Sequence, residues 1–170
     1  MDSIQIRGKD VAADLTQELL PFVEKYSQAG NEVSVSIIYF GNDPAAESYI
    51  KSKEKIFKKF GISIELNNFP VNADKSPVLN KIKDLNNNRR CNGIMIEMPI
   101  PGHLDKFDLF NAIVPDKDID CLTPYNYGKL LLSYPGPVPA TAGGVVEIIK
   151  RSGFELNGKN VVTVSYTHLR

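Results

Sequence analysis

Residues 33–44 read VSVSIIYFGNDP and contain the clearest fold signal in the chain. β-branched residues are frequent in the first part of this stretch, which predicts a short buried strand over residues 33–40. Asp43 is a good helix N-cap and Pro44 suits the first helical position, so a helix is predicted to begin there. We expect it to run to about Phe60, where Gly61 is suited to end it. The stretch therefore predicts a strand, a tight turn and a helix in immediate succession.

The same alternation of helix and strand extends in both directions along the chain. Hydrophobic spacing predicts helices over residues 9–28 (kinked or split at Pro21), from Ser76-Pro77 onward, over 104–114 and from Gly143-Gly144, and strands over 62–66, 93–98 and 160–165. The connections are long enough for parallel crossovers. The predicted fold class is therefore α/β, with an open, mostly parallel sheet flanked by helices.

Composition excludes several classes of partner and location. The chain has 170 residues, enough for one domain and the start of a second, and 20 basic residues balance 20 acidic ones. No apolar run reaches the ~20 residues that span a bilayer, and the first residues lack the features of a secretory signal. Cys91 and Cys121 form no C-x-x-C pair, which favours two reduced thiols. We expect a cytoplasmic protein that binds neither nucleic acid nor membrane.

Ligands of open α/β sheets bind beyond the carboxyl ends of the strands, which directs attention to the residues just after each strand. Tyr49 and Lys53 are four apart on the helix that follows the first strand, so they share one face. An aromatic ring and an ammonium there could stack on a flat ligand and move a proton, although a solvated lysine-rich face is the more ordinary interpretation. Glu97 interrupts an apolar strand. It either reaches water or is paired, because burying a bare carboxylate costs several kcal/mol.

Other motifs give weaker signals. Residues 116–120 contain three carboxylates, but their spacing fits no Ca²⁺ loop and no histidine is near, so no metal is predicted. The glycine pair at 143–144 could expose helix amides to a phosphate or could simply form a tight turn.

Four stretches together resemble the methylenetetrahydrofolate dehydrogenase/cyclohydrolase family, over about residues 4 to 164. PAAESYIKSK (44–53) resembles P-A-S-x-x-Y-V-x-x-K, and GIMIEMPIP (93–101) resembles G-I-L-V-Q-L-P-L-P. PDKDIDCLTPYNYGKL (115–130) resembles P-x-K-D-V-D-G-F followed by P-x-N-x-G-x-L, and PATAGG (139–144) stands where the family has P-C-T-P-x-G.

The resemblance implies NADP-dependent oxidation of 5,10-methylenetetrahydrofolate to the methenyl form, and its hydrolysis to 10-formyltetrahydrofolate. It implies that Lys53 transfers the proton in hydrolysis, that Tyr49 stacks on the aminobenzoyl ring and that Asp120 holds the pterin. It also implies a homodimeric parent enzyme without a metal. The remaining implied contacts are with folate for Ser52, Met98 and Pro99, and on the NADP side for Thr141.

Several positions depart from the family pattern. Glu97 replaces the usual glutamine beside the catalytic lysine. A carboxylate there is expected to favour the ammonium form of Lys53, and thus to weaken hydrolysis more than hydride transfer. Cys121, Ala140 and Ala142 are further departures and indicate a divergent subgroup.

The resemblance divides the chain into a folate-binding catalytic domain (1–122), a junction (123–144) and the start of an incomplete Rossmann domain (145–170). Residues 165–170 form an atypical tail where the family continues with a glycine-rich phosphate turn. We therefore expect either a truncated chain or a foreign join at residues 165–170. In both cases the chain is expected to bind NADP poorly and to leave its last helix and strand without a packing partner. The alternative is a folate-binding module or pseudoenzyme without redox activity. Another two-domain dehydrogenase, such as an amino-acid dehydrogenase, would not explain the combined motifs. The preference for NADP over NAD stays open.

Overall fold

A parallel three-stranded sheet forms the centre of the molecule in the computed structural model, which describes residues 6–162. The strands are β1 (Ser34–Phe40), β2 (Ser63–Phe69) and β3 (Gly93–Ile96), in the spatial order β2-β1-β3. β1 pairs in parallel with both neighbours. The predicted α/β class and parallel sheet are confirmed.

Six α-helices surround or follow the sheet in the described residues: α1 (Gly8–Gln28), α2 (Pro44–Lys59), α3 (Lys75–Asn87), α4 (Lys106–Ala112), α5 (Pro124–Leu131) and α6 (Ala140–Arg151). A short 3₁₀ turn covers Pro115–Lys117. The start of α2 follows the sequence prediction, because the Asp43 carboxylate accepts hydrogen bonds from the backbone N–H groups of Ala45 and Ala46 at 2.8 and 2.9 Å. No helix in this part of the chain is long and apolar enough to cross a membrane.

Some predicted elements differ from the observed ones. α1 runs through Pro21 as a single helix, and α3 begins at Lys75, so that Ser76 does not cap it. α5 was not predicted, because its Pro, Asn, Tyr and Gly content is typical of a loop; Thr123 caps it and Pro124 begins it. Of the predicted last strand, residues 160–162 have no regular structure and the rest lies outside the described residues.

The glycine pair lies inside α6, which begins at Ala140, so the prediction that it opens the helix is wrong. A Cβ on Gly143 would lie 2.8 Å from Val138 Cγ2. The absence of a side chain at this position therefore permits close packing against the preceding segment. The tight-turn interpretation is wrong as well.

The core lies on both faces of the sheet, as the alternation of side chains along a strand requires. On one face Ile38 and Ile94 pack with residues of α3 and α4, among them Val78, Ile82 and Leu109. On the other face a smaller cluster packs beneath α2; it consists of Val35, Ile37, Ile50 and Met95. With both faces covered, a ligand can reach the sheet at the ends of its strands, and in open α/β sheets it binds beyond the carboxyl ends.

The last helix, α6, packs against α1, contrary to the expectation that it lacks a partner. The Arg151 guanidinium donates to both carboxylate oxygens of Glu18, at 2.7 and 2.8 Å. An apolar cavity of about 680 Å³ lies between the two helices. α6 still leaves Val145 and Val146 about half exposed.

Candidate active site at the carboxyl end of the sheet

Lys53 and Glu97 form an ion pair that joins α2 to the end of β3. The Lys53 Nζ lies 2.5 Å from Glu97 Oε2, and their side chains are only 22% and 13% exposed. Glu97 immediately follows β3, and its backbone N–H donates to the carbonyl of Ile38 on β1 at 2.8 Å. The position of both groups is therefore fixed by the sheet. Of the two interpretations of Glu97, the paired one is correct.

Tyr49 presents an open aromatic face beside this ion pair. The Lys53 Nζ lies 5.4 Å from the centroid of the Tyr49 ring, and Tyr49 is 63% exposed. The helical spacing of four residues brings the two side chains together, as predicted. An exposed ring next to an ammonium is a suitable surface for a flat aromatic ligand.

The loops after β1 and β3 meet next to this site. Pro99 lines a cavity of about 200 Å³ together with Asn42 and Asp43, while Met98 is 56% exposed. Ser52 is exposed one position before Lys53, and its hydroxyl donates to the carbonyl of Ser48 at 2.9 Å. Met98 and Pro99 are thus available at the same edge, whereas the Ser52 hydroxyl proton is engaged within α2.

Asp120 approaches this edge from the segment that follows α4. Asp118 forms a parallel bridge with Ile94 of β3, so the chain leading to Asp120 runs toward the carboxyl end of β3. Asp120 lines a second cavity, of about 580 Å³, whose other walls include Phe107 and Tyr127. Tyr49, Lys53 and Glu97 do not line that cavity. The structure therefore brings Tyr49, Lys53 and Glu97 into contact and places Asp120 on a separate wall.

Sequence reasoning missed Asp118, the carboxylate of this segment that accepts the most hydrogen bonds. Asp118 is buried and accepts hydrogen bonds from the backbone N–H groups of Leu122 and Thr123, the Thr123 hydroxyl and the Asn126 amide, at 2.7 to 2.9 Å. Burial acts to raise the pKa of Asp118, but these hydrogen bonds outweigh it and lower the pKa below its usual range. The threonine and asparagine that follow in the sequence were the available signal.

Asp118→Asn is expected to reduce the loss in the free energy of unfolding that occurs as the pH falls. Because the pKa of Asp118 is lower in the folded chain than in the unfolded chain, the unfolded chain binds more protons between the two values. The resulting stabilisation is present above about pH 4 and is lost as the pH falls through the folded-state pKa. Urea titrations at a series of pH values measure this loss, with the exposed Asp116→Asn as the matched control. If the free energy of unfolding falls as steeply at low pH in Asp118→Asn as in Asp116→Asn, the lowered pKa of Asp118 is contradicted.

Lys117 has a structural role in the same segment. Its ammonium donates to three backbone carbonyls at the end of α3, those of Leu85, Asn86 and Asn88, at 2.7, 2.7 and 2.8 Å. The carbonyls of Leu85 and Asn88 also accept the backbone N–H groups of Asn88 and Cys91, so Lys117 adds a charged donor to the carbonyl groups that end the helix. Within residues 6–162, no group of three His, Cys, Asp or Glu side chains is arranged to hold a metal ion.

A family model described as tetrahydrofolate dehydrogenase/cyclohydrolase, catalytic domain, matches residues 6–120, which is more than half of the chain. The chain belongs to the tetrahydrofolate dehydrogenase/cyclohydrolase family. The match includes Tyr49, Lys53, Glu97 and Asp120. The resemblance inferred from the four motifs is confirmed.

Members of this family give similar agreement in sequence and in structure. The bifunctional protein FolD of Staphylococcus aureus is 36% identical over 162 residues, which is 95% of this chain and 57% of that protein. A 5,10-methylenetetrahydrofolate dehydrogenase from the silkworm Bombyx mori aligns with a TM-score of 0.85 at 31% identity, covering 89% of this chain and 53% of that one. A Trypanosoma brucei dehydrogenase-cyclohydrolase, solved with NADP cofactor and inhibitor, aligns with a TM-score of 0.80 at 28% identity. The alignment covers 94% of this chain and 55% of that one. The chain spans little more than half the length of these relatives.

The family motif also explains the backbone at Cys121. Cys121 has φ of +57°, a left-handed conformation that glycine adopts without cost, and glycine stands here in the motif D-V-D-G-F. A residue with a Cβ pays about 1–2 kcal/mol for it. Burial raises the pKa of the Cys121 thiol, and the charges of Asp118 and Asp120 raise it further, so the thiol stays protonated and unreactive.

Proposed function

We propose that this chain binds tetrahydrofolate derivatives at the carboxyl end of its sheet and hydrolyses 5,10-methenyltetrahydrofolate to 10-formyltetrahydrofolate. The observation that carries the proposal is the contact of Lys53 with Glu97 beside the exposed ring of Tyr49. In the longer polypeptide that the relatives represent, we propose that the same site also presents 5,10-methylenetetrahydrofolate for NADP-dependent oxidation.

The proposed chemistry follows from the groups present. The methenyl carbon bears a positive charge shared by two nitrogens, so water can attack it. Lys53 in its amine form takes one proton from the water as the C–O bond forms, and the ammonium then gives that proton to the leaving nitrogen as the C–N bond breaks. The remaining hydroxyl proton is released to solvent, which leaves the neutral formyl group. Tyr49 stacks on the aminobenzoyl ring, and Met98 and Pro99 line the cleft. Asp120 holds the pterin, and Ser52 lies beside Lys53 on the exposed face of α2.

The described residues do not fit NADP by themselves. Thr141, assigned to the NADP side by resemblance, is exposed in the first turn of α6, and Gly143 is explained by its packing against Val138. No glycine-rich turn that could receive the cofactor phosphates follows a strand within residues 6–162. We propose that residues 1–122 form the catalytic domain, 123–144 the junction and 145–170 the start of the nucleotide-binding domain. We also propose a cytoplasmic, homodimeric parent enzyme that binds neither nucleic acid nor membrane.

A folate-binding module without turnover is the second candidate, and the ion pair favours it. Glu97 engages the Lys53 Nζ directly, at 2.5 Å, and a lysine engaged in this way can attract a ligand without acting as a base. Binding without hydrolysis by this chain would favour this candidate.

Tyr49→Ala is expected to weaken the binding of 5-formyltetrahydrofolate at least about fivefold, because stacking of an aromatic ring contributes about 1–3 kcal/mol. Isothermal calorimetry on the chain measures the change. Tyr125→Ala is the matched control, since Tyr125 is similarly exposed and has a lysine, Lys129, 5.7 Å from its ring. Equal losses in both variants, or no binding by the unsubstituted chain, would contradict the proposed site.

A further inference from the structure

A single carboxylate closes the turn that presents Asp120. Asp118 Oδ1 accepts the N–H of Leu122 at 2.8 Å, and Oδ2 accepts the N–H and the hydroxyl of Thr123 at 2.9 and 2.7 Å. Asp120 lies between the anchor residue and the residues it binds. The conformation on both sides of Asp120 is therefore tied to one buried side chain.

The same carboxylate is tied to the sheet and to α5. The backbone of Asp118 bridges to Ile94 on β3, and the Asn126 amide of α5 donates both to Asp118 Oδ2 and to the carbonyl of Pro115, each at 2.9 Å. Thr123 adds a further connection, since its hydroxyl also accepts the N–H of Asn126 at 3.2 Å. Asp118, Thr123 and Asn126 are all buried. This three-residue network, the Asp118 clasp, thus joins β3, the turn 118–123 and the start of α5.

Asp120 differs from the clasp residue Asp118 in its burial and in the groups that surround it. Asp120 is only partly buried and lines the 580 Å³ cavity, whereas Asp118 is enclosed and accepts hydrogen bonds from Leu122, Thr123 and Asn126. A carboxylate that meets a ligand must be held in a defined position by a rigid surround, because small misplacements cost affinity and rate. The clasp is the structure that can provide this rigidity for Asp120.

We propose that Asp118, acting through Thr123 and Asn126, is a positioning residue that sets where Asp120 meets the pterin ring of the folate. This inference rests on the proposed function of Asp120. Asp118 itself touches no ligand, and its effect on folate binding passes through the turn.

The test replaces Thr123, because its hydroxyl is the part of the clasp that can be removed at nearly constant volume. Thr123→Val is expected to weaken binding of 5-formyltetrahydrofolate about tenfold, and Thr123→Ser, which retains the hydroxyl, by less than about twofold. If the clasp acts through Asp120, adding Thr123→Val to Asp120→Asn produces no further loss. Additive losses, or equal affinities of the Val and Ser variants, would overturn the inference.

Two further arms separate this inference from the proposed function and from a loss of folding. An unsubstituted chain that does not bind the probe refutes both proposals, whereas binding that Tyr49→Ala weakens and Thr123→Val leaves unchanged refutes only the positioning role. Hydrogen exchange on the unsubstituted chain needs no variant: the amides of Leu122 and Thr123 are expected to exchange slowly and to slow further with the probe bound. Unchanged exchange at these amides with the probe bound would overturn the inference.

Discussion

Replacing Lys53 by methionine is expected to lower the hydrolysis of 5,10-methenyltetrahydrofolate at least about 100-fold, the usual contribution of a positioned acid–base group. The reason is that the Lys53 Nζ is the basic atom that lies beside the exposed Tyr49 ring, where the folate is proposed to stack. The measurement is the loss of the methenyl chromophore after subtraction of the uncatalysed rate.

The design of this experiment must separate chemistry from stability. Methionine leaves Glu97, 13% exposed, without its partner, which costs about 1–3 kcal/mol. Lys53→Arg keeps the positive charge beside Glu97 but stays protonated, so it should retain stability and still lose hydrolysis. Lys81→Met is the matched control. Lys81 forms a comparable ion pair outside the site, with its Nζ 2.7 Å from a carboxylate oxygen of Glu65. Hydrolysis by Lys53→Arg at the unsubstituted rate would contradict the proposed role.

Much of the fold could be predicted from local sequence, since each correct element combines a hydrophobic period with a boundary signal. The β1–α2 unit is the clearest case, where Asp43 caps the helix as its position predicts. The failures have a common cause. α5 and α6 contain glycine or asparagine where tertiary contacts, such as Gly143 against Val138, outweigh the local preference for a turn.

The candidate site was predictable only in part. Helical spacing places Tyr49 and Lys53 on one face, but the partner of Lys53 depends on the parallel alignment of β1 and β3, which spacing does not encode. The different roles of the carboxylates within residues 116–120 could not be predicted from the sequence either. Three similar carboxylates differ only in what surrounds them: Asp118 is enclosed by donors, and Asp120 faces a cavity.

The most informative position for the proposed activity is Glu97, which the structure places in direct contact with Lys53, the proposed base. A charge-assisted hydrogen bond of this kind is about twice as strong as a neutral one and forms only while the lysine is an ammonium. The lysine must lose that proton before it can accept one from water. The hydrogen bond to Glu97 and the proposed attack of water therefore make competing demands on the Lys53 Nζ.

Glu97→Gln is accordingly expected to raise the hydrolysis rate at saturating folate about tenfold, recovering part of the ~100-fold that a positioned base contributes. Glutamine preserves the length of the side chain and can still accept a hydrogen bond from Lys53, so folate affinity should change little. Glu65→Gln, which neutralises the ion pair with Lys81, serves as the control and should leave the rate unchanged. A rate that is unchanged or lower in Glu97→Gln would mean that the ammonium form is the active one. Lys53 would then act by electrostatic stabilisation, and the Glu97 carboxylate would increase the rate of hydrolysis instead of lowering it.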